Sequence, residues 1–186
     1  MKRQLFLLLF LSTALAFSQS SSKEYSKDIA LYRAKFYIIN EVLGGTSEYE
    51  KFVIDPLAAS KSSEITSIYY EGRGKKGLAL GFFDDFWASG GSGKNHQGYG
   101  FKYLNFDEAY SLLNKIEAII KNEKKFLNAD DNENNIYFDY LDMTVIIYRE
   151  GPLAGRIRIA WNGFDGEWEN TAFRRTKRRF EKSMEE

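Results

Sequence analysis

The sequence predicts an α+β domain: a mostly antiparallel sheet of about five or six strands with helices packed on one face, in the order α-βββ-α-βββ-α. Three observations carry this. Apolar residues recur at steps of three and four over residues 28–43 and again over 105–122, the period of a helix facing a core. Between and after these segments stand short β-branched and aromatic runs of strand length. Strands joined by short Gly-containing turns are antiparallel neighbours, because a parallel pair needs a long crossover.

The chain opens with MKRQLFLLLFLSTALAFS, a positive start at Lys2 and Arg3, an apolar run from Leu5 onward, and small residues at Ala16 and Ser18. That is the three-part build of a secretory signal peptide, and the run is too short to serve as a membrane anchor. Residues 1–18 are expected to be removed after Ser18, with a cut after Ala16 as the alternative. The product is expected to be soluble, without a transmembrane anchor, in a periplasm or outside the cell. Residues 19–27 read as a mobile leader and residues 28–186 as one domain.

From Asp28, the residues Ile29, Tyr32, Phe36, Ile39 and Leu43 fall on one helical stripe, and Gly44-Gly45 ends the element. Residues 46–64, which hold Asp55-Pro56 and a Ser-rich stretch, show no periodic pattern and receive no element. Strands are predicted over Ile65–Glu71, Gly77–Phe83 and Tyr99–Leu104, the first two joined as a hairpin. Asn105, with Glu108 three residues on, signals a capping box for a second helix whose apolar face is Ala109, Leu112, Leu113, Ile116, Ile119 and Ile120. After a polar run come strands over Ile136–Tyr140, Met143–Arg149 and Arg156–Trp161, and a last helix over Thr171–Met184. No internal repeat is present.

Composition narrows the function. A chain with no Cys has no disulfides, no thiolate catalysis and no Cys-ligated metal. Its stability must come from burial, for which 12 Tyr, 15 Phe and 3 Trp supply large rings. The balance of 26 basic and 26 acidic residues is far from that of a non-specific nucleic-acid binder, so no nucleic-acid partner is expected.

The motifs that suggest chemistry fail on spacing. In ASGGSGKNH, residues 88–96, Ala88 stands where a phosphate-binding loop needs its first Gly and Asn95 where it needs a hydroxyl, so the stretch reads as a Gly/Ser connector between strands and no nucleotide is expected. Around Ser92 the serine-hydrolase elbow lacks its second Gly. His96, the single histidine, reads as a surface-loop residue with no orienting carboxylate near it in sequence. Asp130, Asn132 and Asn134 alternate as in a calcium loop, but Leu141 occupies the position of the essential Glu. No catalytic residue, cofactor or metal is therefore assigned. The carboxylate pairs Asp84-Asp85, Asp130-Asp131 and Glu167/Glu169 sustain the alternative of a small envelope hydrolase.

Two candidate surfaces remain. Trp87, Trp161 and Trp168 stand beside Gly-rich segments and form a candidate aromatic contact surface, against which stands the tendency of large rings to close a core. In the last helix Phe173, Phe180 and Met184 share an apolar stripe, while Arg174, Arg175, Arg178, Arg179 and Lys182 lie opposite it as a candidate surface for an anionic partner. The expectation is an exported, non-enzymatic binding or accessory protein of the cell envelope, with an anionic envelope component or a protein as partner.

Overall fold

The computed structural model describes residues 31–60, 64–87, 95–129, 134–150 and 154–183. The chain is α+β, but the described residues form eight strands rather than five or six, arranged in two four-stranded antiparallel meanders. The first holds β1 (Phe52–Ala59), β2 (Ile65–Gly72), β3 (Lys75–Trp87) and β4 (Asn95–Asn105) in sequence order. The second holds β5 (Asn135–Tyr140), β6 (Met143–Glu150), β7 (Ala154–Trp161) and β8 (Phe164–Glu169), again in order. Helix α1 covers residues 31–43, with a π-helical stretch over Ile38–Leu43. Between the sheets in sequence come α2 (Phe106–Asn122) and the single turn α3 (Lys124–Leu127), and α4 (Asn170–Lys182) closes the chain.

The two strands absent from the predicted order have local causes. β1 carries Pro56, which cannot donate to a ladder and is tolerated because β1 is an edge strand; a register shift between Pro56 and Ala58 then breaks the alternation. β8 follows Asn162-Gly163, both with positive φ (48° and 81°), a two-residue hairpin turn that pairs Trp161 with Phe164. The segment from Trp161 to Trp168 is therefore a hairpin and not an aromatic loop. His96 likewise lies in β4, opposite Phe86, rather than in a surface loop.

Helices pack on both faces of the first sheet, not on one. On its outer face α1 sets Ala34, Ile38 and Val42 against Ile68, Tyr70 and Ala79. This stripe is rotated from the one read in the sequence: Tyr32 is 62% and Phe36 54% exposed. Two apolar stripes compete on this helix, and the one containing small Ala34 lets the backbone approach the sheet. The β2–β3 turn closes the carbonyl end of α1, where Arg73 donates to the Leu43 and Gly44 oxygens (3.2 and 3.0 Å) and Lys75 donates to Val42.

The inner face of the first sheet carries Leu57, Ile65, Leu78, Leu80, Phe82 and Leu104, which share one core with Val145, Ile147, Ile157, Ile159 and Trp168 of the second sheet and with α2 and α4. The capping box of α2 forms in full: Asn105 accepts from the Glu108 N–H and Glu108 accepts from the Asn105 N–H, both at 2.9 Å. Phe180 of α4 stacks on Phe106 and meets Tyr69 edge-on, while Phe173 meets Trp168 edge-on. A buried hydroxyl pair, Ser67 and Thr176 at 2.6 Å, fixes α4 on β2. The outer face of the second sheet is charged, and Arg158–Asp165 and Arg156–Glu167 pair diagonally across β7 and β8.

Candidate anion-binding groove

The five cations singled out on the last helix divide into two rows. Arg175 and Arg179 lie on the β1 flank of α4, and Arg179 is held there by hydrogen bonds to the Leu57 and Pro56 carbonyls (2.7 and 3.3 Å). Lys182 is exposed one turn further along this row. Arg174 and Arg178, one turn apart on the other flank, line a groove of about 890 Å³.

The groove lies between α4, the end of α2 with α3, and the β6–β7 pair. Facing Arg174 and Arg178 across it are Lys121 and Lys124, supplied by the solvent side of α2 and by α3. Arg149 enters from the sheet, in the same inward phase as Met143, Val145 and Ile147. Its partner across the ladder is Gly155, which carries no side chain. Ile120, Leu127, Ile147 and Phe173 form an apolar floor.

Two carboxylates, Glu117 and Glu181, also line the groove, and both are drawn onto Lys177. Lys177 is only 9% exposed, and burial alone would lower its pKa. The hydrogen bonds to Glu181 and Glu117 outweigh that desolvation and hold its pKa above the ordinary lysine value. Among the described residues, Lys121, Lys124, Arg174 and Arg178 enter no ion pair. The groove thus keeps uncompensated positive charge around an apolar floor, an arrangement that favours an anion partly removed from water. Beside Gly155, the amide oxygen of Asn170 is buried without a hydrogen-bond partner.

Lys121, Lys124 and Arg149 were not among the residues expected to contact an anion. Lys121 and Lys124 carry no sequence signal beyond that of ordinary solvated lysines at a helix end. Arg149 does: it occupies an inward position of an otherwise apolar alternation.

The aromatic candidates separate as well. Trp168 is 0% exposed against Phe173, so the ring is withdrawn from any partner. Trp161 is half-buried, stacked on Phe164, and its indole N–H donates to Asp142 at 2.8 Å. Trp87 pairs with Asn95 through the backbone; its side chain and those of Asp84 and Asp85, in the same strand β3, lie outside what the structure describes, as do Asp130, Asp131 and residues 88–94. Glu167 accepts from Arg156 and from the Tyr148 hydroxyl, and Glu169 is buried.

Comparison with protein-family models, with curated proteins and with solved structures returns no match for this chain. The functional reading therefore rests on the chemistry of the groove.

Proposed function

We propose that this protein is exported through its N-terminal signal sequence and acts in the cell envelope as a non-enzymatic binding or accessory protein, docking an anionic envelope component in the basic groove. One observation carries the reading: cations from α2, α3, β6 and α4 converge on a single cavity whose two carboxylates are both engaged by Lys177. Cations contributed by four separate elements are harder to explain as a plain solvated helix face than a row on one helix would be.

The test uses vesicles containing phosphatidylglycerol. Wild-type protein is expected to be retained at low salt and released as salt rises, since charges are screened over about 10 Å at 0.1 M and about 3 Å at 1 M. Arg174→Glu with Arg178→Glu should abolish retention while changing stability by no more than about 0.5 kcal/mol. Arg175→Glu, on the opposite flank of the same helix, should leave retention intact. Equal loss from Arg175→Glu would sink the groove as the docking site.

A further inference from the structure

Among the described residues, each four-stranded sheet ends in two outer strands whose backbone groups lack a neighbouring strand on one side, a template for pairing with further chain. Three of these edges are blunted. On β1, Pro56 has no N–H to offer, and Arg179 occupies the Pro56 and Leu57 carbonyls. On β8, the Glu64 carboxylate takes the Glu167 N–H at 2.7 Å. On β4, the backbone of Tyr103 is hydrogen-bonded to the Tyr37 hydroxyl, supplied by α1. The fourth edge, β5, reads NIYFDY, with no Pro, Lys or Arg, and among the described residues it pairs with β6 alone.

The phase of the ladder decides which groups β5 presents. Tyr140 and Met143 flank the two-residue turn Leu141-Asp142, so they exchange both hydrogen bonds, and Phe138 with Val145 and Ile136 with Ile147 follow in the same phase. The N–H and C=O groups of Asn135, Tyr137 and Asp139 therefore point away from β6. All three residues are exposed, Tyr137 by 74%. Ile136, Phe138 and Tyr140, in the alternate phase, are half-buried against the core.

This edge matches itself. Two β5 strands related by a twofold axis through Tyr137 set Asn135 opposite Asp139, Tyr137 opposite Tyr137 and Ile136 opposite Phe138. Every outward backbone group of both strands is then paired. No like charges meet, and the Asn135 amide can donate to Asp139, whose carboxylate is held in place by the Thr144 hydroxyl at 2.8 Å. An axis through Phe138 leaves Asn135 with no strand residue opposite it, and an axis through Asp139 puts two carboxylates face to face. From this self-complementarity we infer that the protein pairs with a second copy of itself through β5, joining two four-stranded sheets into one continuous sheet. The edge is short beside a stable interface, so the dissociation constant should be on the order of 10 µM.

Sedimentation velocity of the full mature chain tests this, and wild type should pass from monomer to dimer between about 1 and 200 µM. Tyr137→Lys sets two cations opposite each other on the axis and should weaken the dimer by about tenfold or more, and Tyr137→Glu should do the same with two anions. An equimolar mixture of the two variants should dimerise again, because opposite charges then meet on the axis; recovery also shows that both variants are folded. Asn135→Asp, which brings carboxylates together at both ends of the pairing, should likewise weaken the dimer and serves should either Tyr137 variant fail to fold. Arg174→Glu with Arg178→Glu, in the groove, should leave the dimer unchanged, so this inference and the anion-binding reading stand or fall separately. A wild type that stays monomeric throughout the range overturns the inference and leaves β5 to an extended segment of another protein. A dimer that Tyr137→Lys tightens or leaves unchanged uses another register or another surface, and the twofold pairing through Tyr137 is overturned. Folded Tyr137 variants that stay monomeric when mixed overturn it too.

Discussion

Leu141 is one of three described non-glycine residues with positive φ, beside Arg73 and Asn162. It has φ 54° in the two-residue turn between β5 and β6, where a branched L-residue loses about 1–2 kcal/mol relative to right-handed conformations. Its side chain is 56% exposed and offsets little of that cost. The turn aims the next residue, Asp142, at Lys102 of β4 (2.6 Å) and at the Trp161 indole of β7, so one carboxylate ties the first sheet to the second. Leu141→Gly should raise stability by about 0.5 kcal/mol, the relief of strain exceeding the larger entropy of the unfolded chain, as read from the urea midpoint. A loss of similar size would show that the leucine packs more than its exposure implies. The hydrogen bond from Lys102, reinforced by Trp161, holds the Asp142 carboxyl below its ordinary pKa of 3.8. A depressed carboxylate contributes stability that is fully present above the unfolded pKa and is lost as pH falls through the folded one. Asp142→Asn should therefore be less stable than wild type at neutral pH, and the difference should shrink below about pH 4. A difference that stays constant into acid would mean that the ion pair is not the source.

At the scale of elements, the packing of β8 on β2 depends on an absent side chain. A Cβ on Gly166 would lie 2.7 Å from Cγ1 of Ile65, which is fully buried and cannot yield, and next to it the Glu167 N–H donates to the Glu64 carboxylate at 2.7 Å. Gly166→Ala should cost about 1–3 kcal/mol by overpacking, and Ile65→Ala in the same chain should return part of that loss in a double-mutant cycle. Additive losses would place the strain elsewhere. The same close approach explains what sequence reasoning could and could not reach. The six strands from β2 to β7, the box-capped α2 and the Phe173 and Phe180 anchors of α4 are all legible, because each announces itself through periodicity, a turn or a cap within its own segment. β8 was hidden by its two tryptophan-flanked glycines, although Asn162-Gly163 is a strong hairpin signal. β1 and the phase of α1 depend on which neighbour packs against them, and no local pattern encodes that. The groove was half legible for the same reason: Arg174 and Arg178 stand out on their helix, whereas Lys121, Lys124 and Arg149 join them only through tertiary packing.

Across the whole molecule, each four-stranded meander is followed by an amphipathic helix, α2 after the first and α4 after the second, and apart from the α1 cluster on the outer face of the first sheet the halves share one core. The inward side chains of both sheets and both helices belong to one buried cluster, and α4 docks on β1 and β2 of the first sheet as well as on its own. A core shared in this way makes the halves depend on each other, so the chain should unfold as one cooperative unit despite its two sheets. Native-state hydrogen exchange tests this directly. The slowest amides of β3, over Leu78–Leu80, and of β7, over Ile157–Ile159, should report the same opening free energy. Phe180→Ala, which removes a fully buried ring lying against Phe106 and Tyr69, should lower both by the same amount, about 3–5 kcal/mol. The groove sits where α2, α3, α4 and the second sheet meet, so its geometry exists only while that common core is closed. A variant in which β3 loses protection while β7 keeps it would show two separable halves, and the groove would then be a hinge rather than a fixed site.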